Sequence, residues 1–223
     1  MGTTSAAADS ANVVLNAELD DFLYHRTNWP TAECRELLAE GPRNGFSPPA
    51  NESKRGLPTL SISAIRGGDV VPEGSLKYAD VSAAEVAQFN LRRGDILVVR
   101  GNGNRLLCGR AGLVKDFPEN CFYPDLLIRL RFRSDALLPE FAVMQWNEPK
   151  THHRLLKKAK SSNGISKING QDIQSHCLAV PPIEMQRRFL DDLIAKSKLV
   201  ETLDQSAKAA VTAQHAIVNR LFG

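Results

Sequence analysis

A chain of 223 residues has room for one sizeable folded unit and an appendage, hardly for two domains with large cores. With 43% hydrophobic and 24% charged residues it has the composition of a globular protein, which excludes a disordered chain, and a net charge of +3 singles out no partner. No run approaches the roughly 18 consecutive apolar residues of a membrane span, and Met1 leads into Gly-Thr-Thr-Ser-Ala instead of a basic and apolar leader, so a cytoplasmic protein without membrane contact is expected.

Residues 1–12 are small and polar and are expected to be disordered. From Val13 to Tyr24 the apolar residues Val14, Leu15, Leu19, Phe22 and Leu23 recur at helical spacing, and Trp29-Pro30 ends the pattern. A short second helix is expected over Thr31–Leu38. Gly41 to Gly56, with its glycines, prolines and asparagines, reads as a surface loop. Strand-like runs follow at Pro58–Ile65, Ile96–Arg100, Leu106–Val114 and Leu126–Arg133. In the last, Ile128, Leu130 and Phe132 alternate with Arg129, Arg131 and Arg133, so three guanidiniums share a face that is either wet or against an anion. Two helices, Leu138–Trp146 and Thr151–Ala159, are broken at Pro149; Gly164 and Gly170 bound a polar turn, and Cys177–Val180 returns as a strand.

After Pro181-Pro182, Glu184 to Phe222 can form one continuous helix of about 58 Å. Phe189, Leu193, Val200, Leu203, Ala207, Ala210, Ile217 and Leu221 follow the alternating four-three spacing of a coiled-coil seam, interrupted at Lys196 and Gln214. A partner helix and a homodimer are expected to cover it, the other possibility being that the stripe folds back on its own domain. The fold class is thus α+β: a central twisted β-sheet with flanking helices over residues 1–180, then a long coiled-coil helix over 181–223.

Charge is unevenly spread. Residues 1–40 hold seven acids against Arg26 and Arg35, whereas 96–115 and 150–171 contain no acid. The first acid-free stretch carries Arg100, Arg105, Arg110 and Lys115, the second Lys150, Arg154, Lys157, Lys158, Lys160 and Lys167. Both are candidate phosphate-facing surfaces or, on charge alone, solvated faces. Within the first, Asn102, Asn104 and Arg105 alternate with Gly101 and Gly103. Two-headed polar side chains on a loop that can approach a surface suit base edges in a DNA groove; an ordinary Gly-Asn hairpin turn is the plain alternative. Further candidate DNA contacts are Arg43, Asn44, Lys54, Arg55, Arg66, Lys77, Tyr78 and Asn163.

Cys34, Cys108, Cys121 and Cys177 form no C-x-x-C pair and have no histidine at ligand spacing, so four buried thiols and no metal are expected. No Walker A loop, G-x-S-x-G or H-E-x-x-H occurs, and no cofactor or catalytic residue is expected. Pro124-Asp125 with Glu148-Pro149-Lys150 spells a P-D…E-x-K nuclease pattern, but its Glu and Lys fall at a helix break where such nucleases have a strand. A coiled-coil assembly protein without DNA binding is a third possibility.

The order of segments resembles type I restriction-modification specificity subunits: Gly56-Leu57-Pro58-Thr59-Leu60, Ile65-Arg66-Gly67-Gly68, Gly94-Asp95-Ile96-Leu97, Gly109 and Ala111-Gly112, Asn163-Gly164-Ile165-Ser166-Lys167, and Val180-Pro181-Pro182-Ile183-Glu184-Met185-Gln186. The similarity covers about residues 41–223. It implies a target recognition domain followed by a spacer helix that pairs antiparallel with an equivalent helix. It also implies double-stranded DNA, methyltransferase and restriction subunits as partners, and no catalysis by this chain. Members usually hold two such halves. One is present here without internal repeat, so two copies reading a split palindrome are expected. Ser47-Pro48-Pro49 continues with Ala50, not with the aromatic residue of an amino-methyltransferase motif, which assigns methylation to a partner.

Overall fold

The computed structural model describes the backbone of residues 3–222 apart from 52 and 163, and the side chains of 14–200 apart from 52 and 161–163, with those of 202, 205–209, 211 and 212. In chain order the elements are α1 (Thr3–Tyr24), β1 (Thr31–Glu33), α2 (Cys34–Leu37), β2 (Leu38–Asn44), β3 (Ala50–Asn51), β4 (Leu57–Leu60), β5 (Ile65–Arg66), β6 (Asp69–Val70), β7 (Leu76–Ala79) and α3 (Ala83–Val86). They continue with β8 (Ile96–Val99), β9 (Gly101–Asn102), β10 (Ala111–Leu113), β11 (Leu127–Phe132), α4 (Pro139–Asn147), α5 (Pro149–Leu156), β12 (Lys160–Ser162), β13 (Ile165–Lys167), α6 (Gly170–Gln174), β14 (Cys177–Ala179) and α7 (Ile183–Phe222).

The central sheet has six strands in the order β2-β11-β8-β10-β6-β5, antiparallel except where β10 meets β6. Strand β8 is apolar on both faces, and its register with β11 sorts the side chains. Ile128 pairs with Val98 and Leu130 with Ile96; all four join Leu19, Phe22, Phe141, Trp146 and Leu155 in a core beneath the helices. Leu127 and its partner Val99, with Leu97, point the other way into a second core with Leu60, Val70, Val114 and Tyr123. A sheet covered on both faces needs such near-continuous apolar strands.

Three amide side chains fix the helices in place, two of them by acting as surrogate strand backbone. Gln145 Nε2 donates to the Ala179 carbonyl at 3.0 Å while its oxygen accepts from the Ala179 N–H at 2.6 Å. Asn147 does the same with Ala111, at 2.9 and 3.0 Å. Gln186, fully buried, accepts from Leu138 N–H and donates to the Ala136 and Pro181 carbonyls, which fixes the start of α7 against the entry of α4. Such groups are buried without penalty because each partner is supplied.

Several local expectations change. Helix α1 begins at Thr3, ahead of the expected Val13 and inside the segment 1–12 read as disordered. Thr31–Glu33 is a strand, not helix, because it pairs with β14 in the register Thr31–Ala179 and Glu33–Cys177; only Cys34–Leu37 makes a helical turn. Gly41–Asn44 is not loop but the end of β2, held against β11 with Arg43 opposite Arg129 and Asn44 opposite Ile128. Of Leu106–Val114 only Ala111–Leu113 is strand, and the polar turn between Gly164 and Gly170 contains β13. Cys34, Cys108 and Cys121 are buried thiols, whereas Cys177 is exposed at the edge of its two-stranded sheet.

Helix α7 runs Ile183–Phe222, as its composition requires, but its first seam residues face inward. Phe189 lies 4.5 Å from the Phe22 ring and 6.0 Å from Phe141, and Leu193 joins the same cluster. Lys196 then reaches Glu18 at 2.7 Å. The stripe therefore begins as core for its own domain, because α1 lies alongside it. Farther on, Val200 and Ala207 are exposed, as are Leu199 and Val211; the side chains of Leu203, Ala210, Ile217 and Leu221 lie outside the described residues.

Candidate nucleic-acid interface

The two acid-free stretches, far apart in sequence, meet in one three-stranded ribbon of order β12-β13-β9. Ser166 pairs with Asn102, Lys167 with Gly101, and Lys160 with Lys167. Ile168 N–H donates to the Arg100 carbonyl at 2.9 Å, extending the seam toward the central sheet. Directly opposite residues on antiparallel strands share a face, so Lys160, Lys167 and Gly101 form one row. A side chain at Gly101 would be tight there: a Cβ would stand 3.0 Å from Lys167 Cγ. Lysines directly opposite each other repel, and among the described residues neither has an acidic partner.

Beyond Gly101-Asn102 the chain enters a turn built from its own asparagines. Asn102 Oδ1 accepts from Asn104 N–H at 2.8 Å, and Asn104 Oδ1 accepts from Leu106 N–H at 2.9 Å. Both oxygens expected at base edges therefore hold the loop, and Asn102 lies on the face opposite Lys160 and Lys167 because it pairs with buried Ser166. The loop's far root is anchored deeply. Gly109, at φ +76°, offers its carbonyl to Trp146 Nε1 at 2.8 Å, and the Cys108 carbonyl lies 2.8 Å from His152 Nε2. Burial keeps the His152 pKa below its ordinary value and raises that of the Cys108 thiol. Arg105 projects from the loop, exposed and without a salt-bridge partner among the described residues.

The remaining candidates divide by what they touch. Arg110 donates to the Leu106 and Asn147 carbonyls, and burial lowers its pKa. Arg66 donates to the Val71 and Glu73 carbonyls, bracing a turn. Lys158 Nζ donates to Ser175 O and Oγ at 2.7 and 2.9 Å, at the end of α6. Arg154 donates to Tyr24 Oη and sits 5.7 Å from that ring's centroid. Arg100 is half-buried beside Asp125, and Arg43 donates to Gln88 Oε1. Lys157 is exposed at the end of α5. A second group, Lys54, Arg55, Lys77 and Tyr78, gathers about the sheet β3-β7-β4, with Asn44 exposed at the end of β2. Asn163 lies outside the described residues.

Sequence reasoning missed Leu106, Leu107, Leu126 and Ile165, which stay exposed on and around the ribbon. The one signal available was their position in acid-free or loop-like segments. Of the three guanidiniums expected on one face, Arg133 is exposed beyond the end of β11 and donates to the Glu36 carbonyl, while Arg129 and Arg131 are taken up inside the chain. Arg129 donates to Glu40 at 2.8 Å and to the Gln88 and Asn90 carbonyls, and Arg131 grips Asp95 through two bonds of 2.7 and 2.9 Å while also reaching Glu40. The Arg131 guanidinium holds the Glu40 carboxyl below the usual range, and Asp95 raises the Arg131 pKa. The anion that this face touches belongs to the chain itself.

Among the described residues no group of three His, Cys, Asp or Glu could hold a metal ion. The three residues of the nuclease pattern have separate tasks: Asp125 accepts from Ser47, Glu148 caps α5 and accepts from Tyr24 Oη, and Lys150 pairs with Asp20.

An exposed basic ribbon thus lies beside a mixed sheet that is covered on both faces, and a long helix leaves one of its two cores. No protein-family model matches this chain. It is 34% identical over 173 residues to the type I restriction enzyme EcoKI specificity subunit of Escherichia coli (strain K12), a stretch covering 76% of this chain and 37% of that protein. The putative type I restriction enzyme MjaX specificity subunit of Methanocaldococcus jannaschii is 23% identical over 197 residues, covering 87% and 45%. Among solved structures, the HsdS subunit from Thermoanaerobacter tengcongensis aligns at a TM-score of 0.59 with 20% identity, over 91% of this chain and 47% of that one. A chain of a type I R-M system structure, solved to explain complex assembly and conformational transition, aligns at 0.61 with 21% identity over 98% and 50%. The homologues of this chain are type I restriction enzyme specificity subunits, and the chain spans less than half the length of the curated relatives it matches.

Proposed function

We propose that this chain recognises a specific sequence in double-stranded DNA as a specificity subunit of a type I restriction-modification complex, with methyltransferase and restriction subunits as partners and no chemistry of its own. Residues 1–180 form the recognition unit and 181–223 the spacer. Two copies joined through the exposed stretch of α7 would set two ribbons on inverted half-sites of a split target. As part of a restriction system acting on DNA, the complex works in the cytoplasm.

The observation that carries this reading is the cross-strand pair Lys160–Lys167, two like charges placed opposite each other with no acidic partner among the described residues, on the ribbon whose strand β9 leads into the loop of exposed Arg105. A phosphate backbone removes the repulsion, and counterion release makes the binding salt-dependent. Arg105 supplies the forked donor that suits guanine, while Lys54, Arg55, Lys77 and Lys157 extend the phosphate contact.

The test is fluorescence anisotropy of the purified full chain with mixed-sequence duplex DNA across a salt series. Replacing Lys160 and Lys167 together by alanine should weaken binding to all sequences alike and reduce the salt slope by about two. An unchanged slope would refute the assignment of the ribbon to phosphate.

A further inference from the structure

Among the described residues, the exposed large apolar side chains fall into two sets. One lies along α1 and α7; the other, Leu106, Leu107, Leu126 and Ile165, surrounds the ribbon. Single exposed leucines need no explanation. Leu106 and Leu107 are different, because they are adjacent, 66% and 48% exposed, and held out by a turn whose polar groups bond internally. Leu106 N–H is taken by Asn104 Oδ1, Leu107 N–H by the Asn104 carbonyl, and the Leu106 carbonyl accepts from Arg110 Nε. Behind them Cys108 and Gly109 are pinned by His152 and Trp146. A frame this complete does not let the leucines fold inward.

The surroundings narrow the occupant. Arg105 precedes the pair, and Lys160 and Lys167 stand on the ribbon that β9 joins, none with an acidic partner among the described residues. Duplex DNA offers phosphates to such cations and, on base edges, one apolar group in the major groove: the C5 methyl of thymine. An apolar wedge driven between base steps belongs to minor-groove binding that kinks the duplex. Arg105, the neighbour of Leu106, carries the forked donor that suits major-groove guanine, which favours the first mode.

We infer that Leu106, supported by Leu107, reads a thymine through its C5 methyl in the major groove. This rests on the DNA-recognition reading above and adds to it a specificity contact that is apolar.

The experiment first selects bound duplexes from a library with a randomised core, using the purified full chain at low salt. The selected duplex is then resynthesised with each thymine in turn replaced by deoxyuridine, which removes the methyl and leaves every hydrogen-bonding group in place. One position should lose affinity about fourfold, the worth of one buried methyl group. With Leu106→Ala the loss at that position should disappear, while losses from base-pair changes elsewhere remain. Sequence selection with no methyl-sensitive thymine, or a sensitivity that survives in Leu106→Ala, overturns the inference and leaves DNA recognition standing. A Leu106→Ala change that instead abolishes DNA bending, read by end-to-end energy transfer, assigns the residue as a wedge and also overturns it. Failure to select any sequence overturns both readings.

Discussion

Arginine and lysine play opposite parts in two strands of this molecule. On β11, Arg129 and Arg131 are buried against Glu40 and Asp95, and they tie β2 to β8 through the sheet. On the β12-β13-β9 ribbon, Lys160 and Lys167 face each other with no acidic partner among the described residues. Period-two alternation in sequence made the β11 guanidiniums the more conspicuous pattern, yet they are internal. The lesson is that a cation's task is decided by the acids the fold brings within reach: a buried guanidinium must be paired, whereas a cation left unpaired must stay wet or await an anion.

The largest expected effect tests the interior side of that contrast. Asp95→Ala leaves Arg131 in a mostly buried site with one carboxylate fewer and frees the Arg92 N–H that Asp95 accepts at 2.8 Å. Stability measured by urea unfolding should fall by about 3–5 kcal/mol, the cost of breaking a buried pair from one side. The protein that remains folded should keep its salt slope for DNA; a changed slope with unchanged stability would reverse the two roles.

On the ribbon side, Arg105→Ala should cost about 1–3 kcal/mol of discrimination at a single base pair while changing stability by less than about 0.5 kcal/mol. Uniform weakening across all sequences would instead make Arg105 another phosphate contact.

The interior also has a pH handle that the ribbon lacks. His176 is almost fully buried against Trp146, and its Nε2 has no hydrogen-bond partner among the described residues; burial, with Lys158 and Arg154 nearby, lowers its pKa to about 3. The unfolded chain binds the proton more readily, so this contribution to stability is complete above the ordinary value of 6.5 and is lost as pH falls toward about 3. Each pH unit in that window should remove about 1.4 kcal/mol. Urea midpoints measured through the window should show His176→Asn with a shallower pH slope than the parent, and equal slopes would mean the ring is already charged in the fold.

Helix α7, the strand core at Ile96–Val99 and Leu127–Phe132, and the break at Pro149 were all legible in the sequence. Each depends on residues within a few positions of one another, through periodicity, apolar runs or a proline that opens the next helix. The interface was half legible: both acid-free stretches stood out, but nothing local showed that they pair. Nor did their order in the chain reveal that Asn102 and Asn104 would hold a turn while Leu106 and Leu107 stayed outside.

Segment identity and the run of the long helix were therefore determined by the sequence alone, since backbone propensity and hydrophobic period act over a turn or two of chain. Which strands became neighbours, which cations met carboxylates, and which face of α7 was covered by α1 were decided only by tertiary structure. Strand pairing and ion pairing join residues tens of positions apart, as Glu40 joins Arg131 and Gly101 joins Lys167, and a contact of that span leaves no trace in the spacing of either partner.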